Sequence, residues 1–250
     1  MQEEVRFRSD KLAVLIDADN TSTTVIESLL REITKFGTAY IKRVYGDWTN
    51  PQMNTWKKSL NDFAIVPVQQ FSYTTGKNST DNALIIDAMD LLYTDKLDGF
   101  CIVSSDSDFT RLAHRIRQDG VAVYGFGRRQ TPKAFVAACD RFIYTELLIA
   151  DPGQLDTGSK QKPVSSSDES SRSDPLLTSD DTNKLHTLLQ EAYEAVARDD
   201  SFANLGTVGQ QLLKLDSAFD TRAYGHKKLG ELLKSTGIFV VKGNDVKLKP

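Results

Sequence analysis

Aspartates crowd a few points of this chain: Asp17-Ala18-Asp19-Asn20, Gly46-Asp47, Asp81 and Ser104-Ser105-Asp106-Ser107-Asp108. The first, second and fourth close short apolar runs, LAVLI (12–16), AYIKRVY (39–45) and GFCIVS (99–104), and Asp81 opens the helix-period segment before the last of them. If the runs are strands of one parallel sheet, these acids meet at the carboxyl edge, where such sheets carry their functional crevice. Four carboxylates on one edge repel one another unless a cation neutralises them, and hard oxygen donors suit Mg²⁺ or Mn²⁺. A divalent ion held there activates water and stabilises the charge of in-line attack on a phosphodiester, so the chemistry indicated is phosphoryl hydrolysis. A local reading competes with it. Asp and Asn after a strand also cap the helix that follows, and Asp19, Asn20 and Asp108 are the most open to that reading. Asp87 and Asp90, further along the same helical segment, read as solvated or paired.

The elements that must position these acids are strand-like runs alternating with amphipathic segments from Lys11 to about Ile149. Besides the three runs above, IVPVQQF (65–71) and VAVYGFG (121–127) read as strands, with a sixth near Phe142. Helix-period segments cover 24–36, 52–62, 81–93, 109–118 and 132–138, with Asn50-Pro51 and Ser79-Thr80 as start signals. The pattern predicts a three-layer α/β domain around a mostly parallel sheet. Residues 150–181 read as a disordered linker, because from 151 onward eight serines, three prolines and seven acidic residues stand among only four aliphatics. From residue 182 to 250 the pattern predicts helices over 184–197, 208–215 and 226–235. Two short β runs, 238–242 and 245–249, follow and are split by Gly243-Asn244, giving a winged helix-turn-helix arrangement. Ala203, Leu205, Val208, Leu212, Leu215, Phe219, Leu229 and Leu233 read as its core.

Composition bounds the partners. A formal charge of −3 over 250 residues carries no global sign of nucleic-acid binding. By region, residues 1–150 hold 18 basic and 19 acidic residues, whereas 182–250 hold 10 and 8. Two cysteines, Cys101 and Cys139, are too few for a disulfide framework. No apolar stretch is long enough to span a bilayer and the N-terminus lacks a signal-like apolar region, so a soluble cytoplasmic protein without membrane contact is expected.

The motifs LIDADN, VYGDW, GKNSTDNALIIDAMDLLY and IVSSDSDF, in this order and spacing, resemble the NYN domain, a PIN-like nuclease family, over roughly residues 11–149. The resemblance implies a metal-dependent ribonuclease using Mg²⁺ or Mn²⁺. Carried over residue by residue, its acids are Asp17, Asp47, Asp81 and Asp106, with Asn20 and Asp108 as supporting ligands; many relatives lack an acid where Asp47 stands. Basic residues flanking this edge, Lys77, Arg111, Arg128, Arg129 and Lys133, are candidates to hold phosphates on either side of the cut. Tyr73 and Trp48 are candidates to stack on bases, whereas Phe71 reads as core. Related PIN-like domains often pair, which admits a homodimer.

The segment SFANLGTVGQQLLKLDSAFDTRAYGHKKLGELLKSTGIFVV resembles the LOTUS domain, also called OST-HTH. That implies binding of single-stranded or structured RNA, or docking to a protein partner. Tyr224, Lys227 and Lys228 at the start of the predicted third helix, with Lys242, Lys247 and Lys249 on the wing, form a modest phosphate-binding face. Two other functions compete. A non-catalytic RNA-binding scaffold would keep the fold without cutting. A haloacid-dehalogenase-like phosphatase would use Asp17 as nucleophile, because Asp17-Ala18-Asp19-Asn20-Thr21 also fits that motif, but the strand after SSDSDF ends in Gly127-Arg128-Arg129 rather than paired acids. A Rossmann cofactor site is disfavoured, since Gly125-Phe126-Gly127 is not part of a GxGxxG opening a first helix.

Overall fold

The computed structural model describes residues 9–71, 79–94, 96–149, 179–197 and 202–249. The chain divides into two compact units, one built from the described residues up to Ile149 together with Asp216–Phe219, and one from the other C-terminal elements.

In the first unit β1 (Lys11–Asp17), β2 (Thr38–Gly46), β3 (Val66–Gln69), β4 (Gly99–Val103), β5 (Ala122–Gly127) and β6 (Arg141–Tyr144) form one sheet in the order β3-β2-β1-β4-β5-β6. Every pairing is parallel. Leu12 to Ile16 and Gly99 to Val103 are buried throughout, as strands covered on both faces must be, which is why they read as unbroken apolar runs rather than alternating ones. Helices α1 (Ile26–Ile33) and α2 (Trp56–Asp62) bury Ile26, Leu29, Ile33 and Trp56 against one face together with Leu148 of the short helix α6 (Glu146–Ile149). On the other face lie α3 (Ser79–Tyr93), α4 (Thr110–Gln118) and α5 (Lys133–Ala138), through Leu84, Ala88, Leu112, Ile116 and Phe135. The strand order reverses between β1 and β4, and the chain leaves these neighbours toward opposite faces, which opens a crevice at their carboxyl ends.

The predicted elements are present with shifted ends. Residues 52–62 divide into a 3-10 turn, Pro51–Thr55, and α2. Asn50 caps that turn by accepting a hydrogen bond from the Gln52 N–H at 3.0 Å, with Pro51 in the first position, where its missing donor is not needed. The third run is strand only over Val66–Gln69, and Phe71, expected in the core, is 50% exposed beyond the end of this edge strand.

The second unit contains α7 (Ser179–Glu194), β7 (Ala203–Asn204), α8 (Leu205–Leu215), α9 (Leu229–Ser235), β8 (Phe239–Lys242) and β9 (Asp245–Leu248), with an antiparallel sheet ordered β7-β9-β8. Val208, Leu212, Leu232, Leu233, Phe239 and Val246 are buried. Leu215, read as core, is instead 45% exposed at the last residue of α8, and Leu205 and Leu229 are half-buried. Helix α9 begins three residues later than predicted. Gly225, left-handed at φ 77°, ends the 3-10 turn Thr221–Tyr224, and Lys228 is extended, so the chain cannot be helical between them. Most of the expected linker, residues 150–178, lies outside the described residues. Among the described residues no helix is long and apolar enough to cross a membrane.

Candidate metal centre

Asp17 is the last residue of β1 and is 1% exposed. Its Oδ1 accepts the backbone N–H groups of Asp19 (3.0 Å) and Asn20 (3.3 Å), and its Oδ2 accepts Asn20 Nδ2 (2.7 Å) and the Ser104 hydroxyl (2.8 Å). Four donors use the acceptor capacity of one carboxylate. Burial raises its pKa above the usual aspartate value, while the Asn20 and Ser104 hydrogen bonds pull the other way.

Ser104 carries this arrangement from β1 to β4. It is 1% exposed, donates to Asp17 and accepts the Asp106 N–H at 3.1 Å. Asp106 then caps the 3-10 turn Ser107–Phe109, its Oδ1 accepting the Asp108 N–H at 2.9 Å. The capping expected of Asp108 is thus done by Asp106, and one residue serves both readings, with one oxygen on the turn and the other directed by it. On the far side of the crevice, α3 brings Asp81 in its first turn.

Asp81, Asp106 and Asp108 each offer a carboxylate oxygen, all within 4.8 Å of one another. The Asp81 pKa is raised from 3.8 to about 6, first by desolvation and then by the charges of Asp17, Asp106, Asp108 and Asp19 in that order. Oxygen ligands at this spacing, in a site whose own charges disfavour ionisation, fit a hard divalent cation.

The NYN domain profile matches residues 11–148, more than half of the chain, and the OST-HTH/LOTUS profile matches residues 178–249. The chain belongs to the NYN domain family. The NYN fold is PIN-like, and here it carries this acidic cluster and is followed by an OST-HTH/LOTUS domain. A protein of unknown function from Vibrio parahaemolyticus, known from a crystal structure, is similar at 21% identity over 57% of this chain and 94% of that one, with a TM-score of 0.47. No curated protein matches the chain.

The other predicted residues of the NYN domain have the following partners and exposures. Asp47 follows β2, and its Oδ1 accepts from the Thr49 N–H (3.1 Å), the Thr49 hydroxyl (2.6 Å) and Gln69 Nε2 (3.0 Å), outside the group of three. Asn20 is bonded to Asp17 as described. Arg111, Arg128, Arg129 and Lys133 are exposed, while Lys77 and Tyr73 lie outside the described residues. The Arg128-Arg129 loop is tied to the site: the Arg128 N–H donates to Ser105 Oγ (2.9 Å) and the Arg129 N–H to Glu146 Oε1 (3.0 Å). Trp48 is half-buried and donates its indole N–H to the Val68 carbonyl at 2.9 Å. Asp87 is paired, accepting from both the Arg43 guanidinium and the Tyr45 hydroxyl of β2. In the OST-HTH domain Lys227 and Lys228 are exposed and Tyr224 is half-buried. Lys249 donates to the Gly237 carbonyl, and Lys242 lies 5.5 Å over the Phe202 ring.

Sequence reasoning missed Ser104, the link between Asp17 and Asp106, and Gly127, which makes the link possible. A Cβ on Gly127 would meet the Ser104 carbonyl oxygen at 2.5 Å and Thr131 Oγ1 at 2.7 Å. The signal available was a serine between an apolar strand and an aspartate. The same geometry disposes of the phosphatase reading, because Asp17 is enclosed by four donors and is no exposed nucleophile.

Proposed function

We propose that this NYN domain is a metal-dependent ribonuclease whose divalent cation, Mg²⁺ or Mn²⁺, is held by Asp81, Asp106 and Asp108. The observation that carries this reading is the convergence of those three carboxylates within 4.8 Å at the switch point of the sheet. When bound, such an ion supplies Lewis-acid stabilisation of the phosphoryl oxygens and lowers the pKa of an attacking water. The chain's own residues do the rest. Asp17 fixes Ser104 and Asn20 from below and adds its charge to the centre. Ser104 sets Asp106, and Asp106 sets Asp108. Arg128 and Arg129, on a loop tied to Ser105 and Glu146, are placed to hold the phosphates of a strand crossing the edge, and Arg111 and Lys133 extend that surface.

The OST-HTH domain would recruit RNA through Lys227, Lys228 and Tyr224, and covalent attachment to the NYN domain raises the local concentration of substrate at the cutting site. A cytoplasmic setting fits the two buried, unpaired cysteines. The test is titration of EDTA-treated protein with Mn²⁺, reading bound ion and RNA cleavage together. One ion or an ion pair bound, with cleavage rising in step, supports the reading. Cleavage that persists at full chelation overturns it, and Mn²⁺ uptake with no hydrolysis of any RNA favours a binding scaffold.

A further inference from the structure

The loop that follows β5 carries Arg128 and Arg129 on a backbone held by side chains from three other places in the domain. The Arg128 N–H donates to Ser105 Oγ (2.9 Å), just beyond β4, and the Arg129 N–H to Glu146 Oε1 (3.0 Å), at the first residue of α6. The Arg128 carbonyl accepts both the N–H (2.9 Å) and the hydroxyl (2.6 Å) of Thr131, a buried residue in the turn before α5. Both arginine side chains, by contrast, are exposed, and their guanidinium groups make no hydrogen bond or ion pair among the described residues. Cations presented from a fixed backbone lose less conformational freedom on meeting an anion than cations on a loose loop. The two arginines also serve different sides of the sheet. Arg128 lines a cavity of about 170 Å³ with Val25, Phe126 and Ile149, on the α1 and α6 side. Arg129 lies within electrostatic reach of Tyr144, which packs with the α3, α4 and α5 cluster; burial raises the Tyr144 pKa and the Arg129 charge draws it down.

We propose that Ser105, Thr131 and Glu146 are positioning residues that set Arg128 and Arg129 astride the carboxyl end of β5, where they hold two successive phosphates of an RNA strand crossing the sheet edge from one face to the other. The assignment rests on the ribonuclease reading above and gives that substrate a path, over β5 and beside β4, the strand that leads into Asp106. The guanidinium fork matches the oxygens of a phosphate, and contacts to the phosphate backbone carry no sequence information. The crossing therefore selects a strand by its charge and spacing and not by its bases.

The test measures binding of a labelled single-stranded RNA by the full chain in EDTA over a range of salt, beside steady-state cleavage with Mn²⁺. Replacing both arginines by alanine should flatten the log–log salt dependence of binding by about 0.7 for each of the two phosphate contacts, or about 1.4 together. Glu146→Ala removes a negative charge, which by itself would strengthen RNA binding, but the positioning role predicts weaker binding and a flatter slope. Glu146→Gln, which keeps the Oε1 acceptor, should bind at least as well as the wild type. Combined with the arginine pair, Glu146→Ala should cost little more. In Mn²⁺, KM should rise more than kcat falls in each variant that loses slope. Ser105→Ala should show the same weakening, and with the exposed arginine variants it keeps the test decisive where Glu146→Ala folds poorly. An unchanged slope without the two arginines, or losses from Glu146→Ala and the arginine pair that add in full, overturns the assignment. Lost slope with no cleavage of RNA by the wild type keeps the path and sinks the ribonuclease reading. Cleavage by the wild type that every variant matches in KM and kcat does the reverse.

Discussion

Asp81 sits where burial and four neighbouring aspartates oppose its ionisation, raising its pKa from 3.8 to about 6. Because the folded value lies above the unfolded one, the folded chain binds more protons between those two pH values. Stability therefore falls as pH rises through that window, and the penalty is fully present above about 6. After allowance for solvent screening of a half-exposed group the penalty is on the order of 1 kcal/mol. In EDTA, Asp81→Asn should thus raise the melting temperature by about 2–4 °C at pH 7 and by little near pH 4. The wild type should gain stability from Mg²⁺ at pH 7, and the variant should gain much less. Thermal denaturation at the two pH values checks this, and a variant destabilised at pH 7 without metal would show that the carboxylates do not repel. The aspartates were visible in the sequence because strand ends and acids coincide there. Ser104 was not, since a serine after a strand looks ordinary until the fold sets it against Asp17.

At the scale of elements, α3 is anchored to β2 by Asp87, which accepts from Arg43 and from Tyr45, whose hydroxyl is buried and whose pKa is raised mainly by that burial. Removing the acceptor leaves both donors unsatisfied, so Asp87→Ala should destabilise the domain by about 1–3 kcal/mol. It should also weaken Mn²⁺ binding, because Asp81 rides on the same helix. Asp87→Asn, which keeps an acceptor for Tyr45, should retain more of both. Isothermal titration with Mn²⁺ beside melting curves decides, and unchanged metal affinity in Asp87→Ala would detach α3's anchor from the site. Gly127→Ala acts from β5: its methyl would press on the Ser104 carbonyl oxygen, shift Asp106, and lower Mn²⁺ affinity as well as stability, whereas normal affinity would mean the Ser104 link is dispensable. The strands were legible because β1 and β4 are buried on both faces, leaving uninterrupted apolar runs. Strand β7 is two residues long and has no period to read, and the start of α9 is set by a left-handed Gly225 that helix periodicity ignores.

For the whole molecule, the OST-HTH/LOTUS domain holds a small excess of positive charge, 10 basic against 8 acidic residues over 182–250, and charge of that size would by itself give only weak, salt-sensitive RNA binding. Under the proposed ribonuclease function its contribution would be recruitment. Deleting residues 178–250 should raise KM for long RNA more than it lowers kcat, and the difference should shrink as salt rises. Steady-state kinetics at two salt concentrations reads this, and an equal loss in KM and kcat would place the domain's effect on the cutting step instead. The split into two units was legible from composition alone, since the serine-rich, acidic stretch before residue 182 lacks the aliphatics a core requires.

The central claim is tested most directly by cleavage of labelled single-stranded RNA in Mg²⁺ or Mn²⁺ by the wild-type chain and by Asp106→Asn at matched folding and concentration. The account predicts hydrolysis by the wild type that EDTA abolishes and a fall of about 100-fold or more in the variant. Equal cleavage by the two proteins, or binding of the RNA by both with hydrolysis by neither, would contradict it.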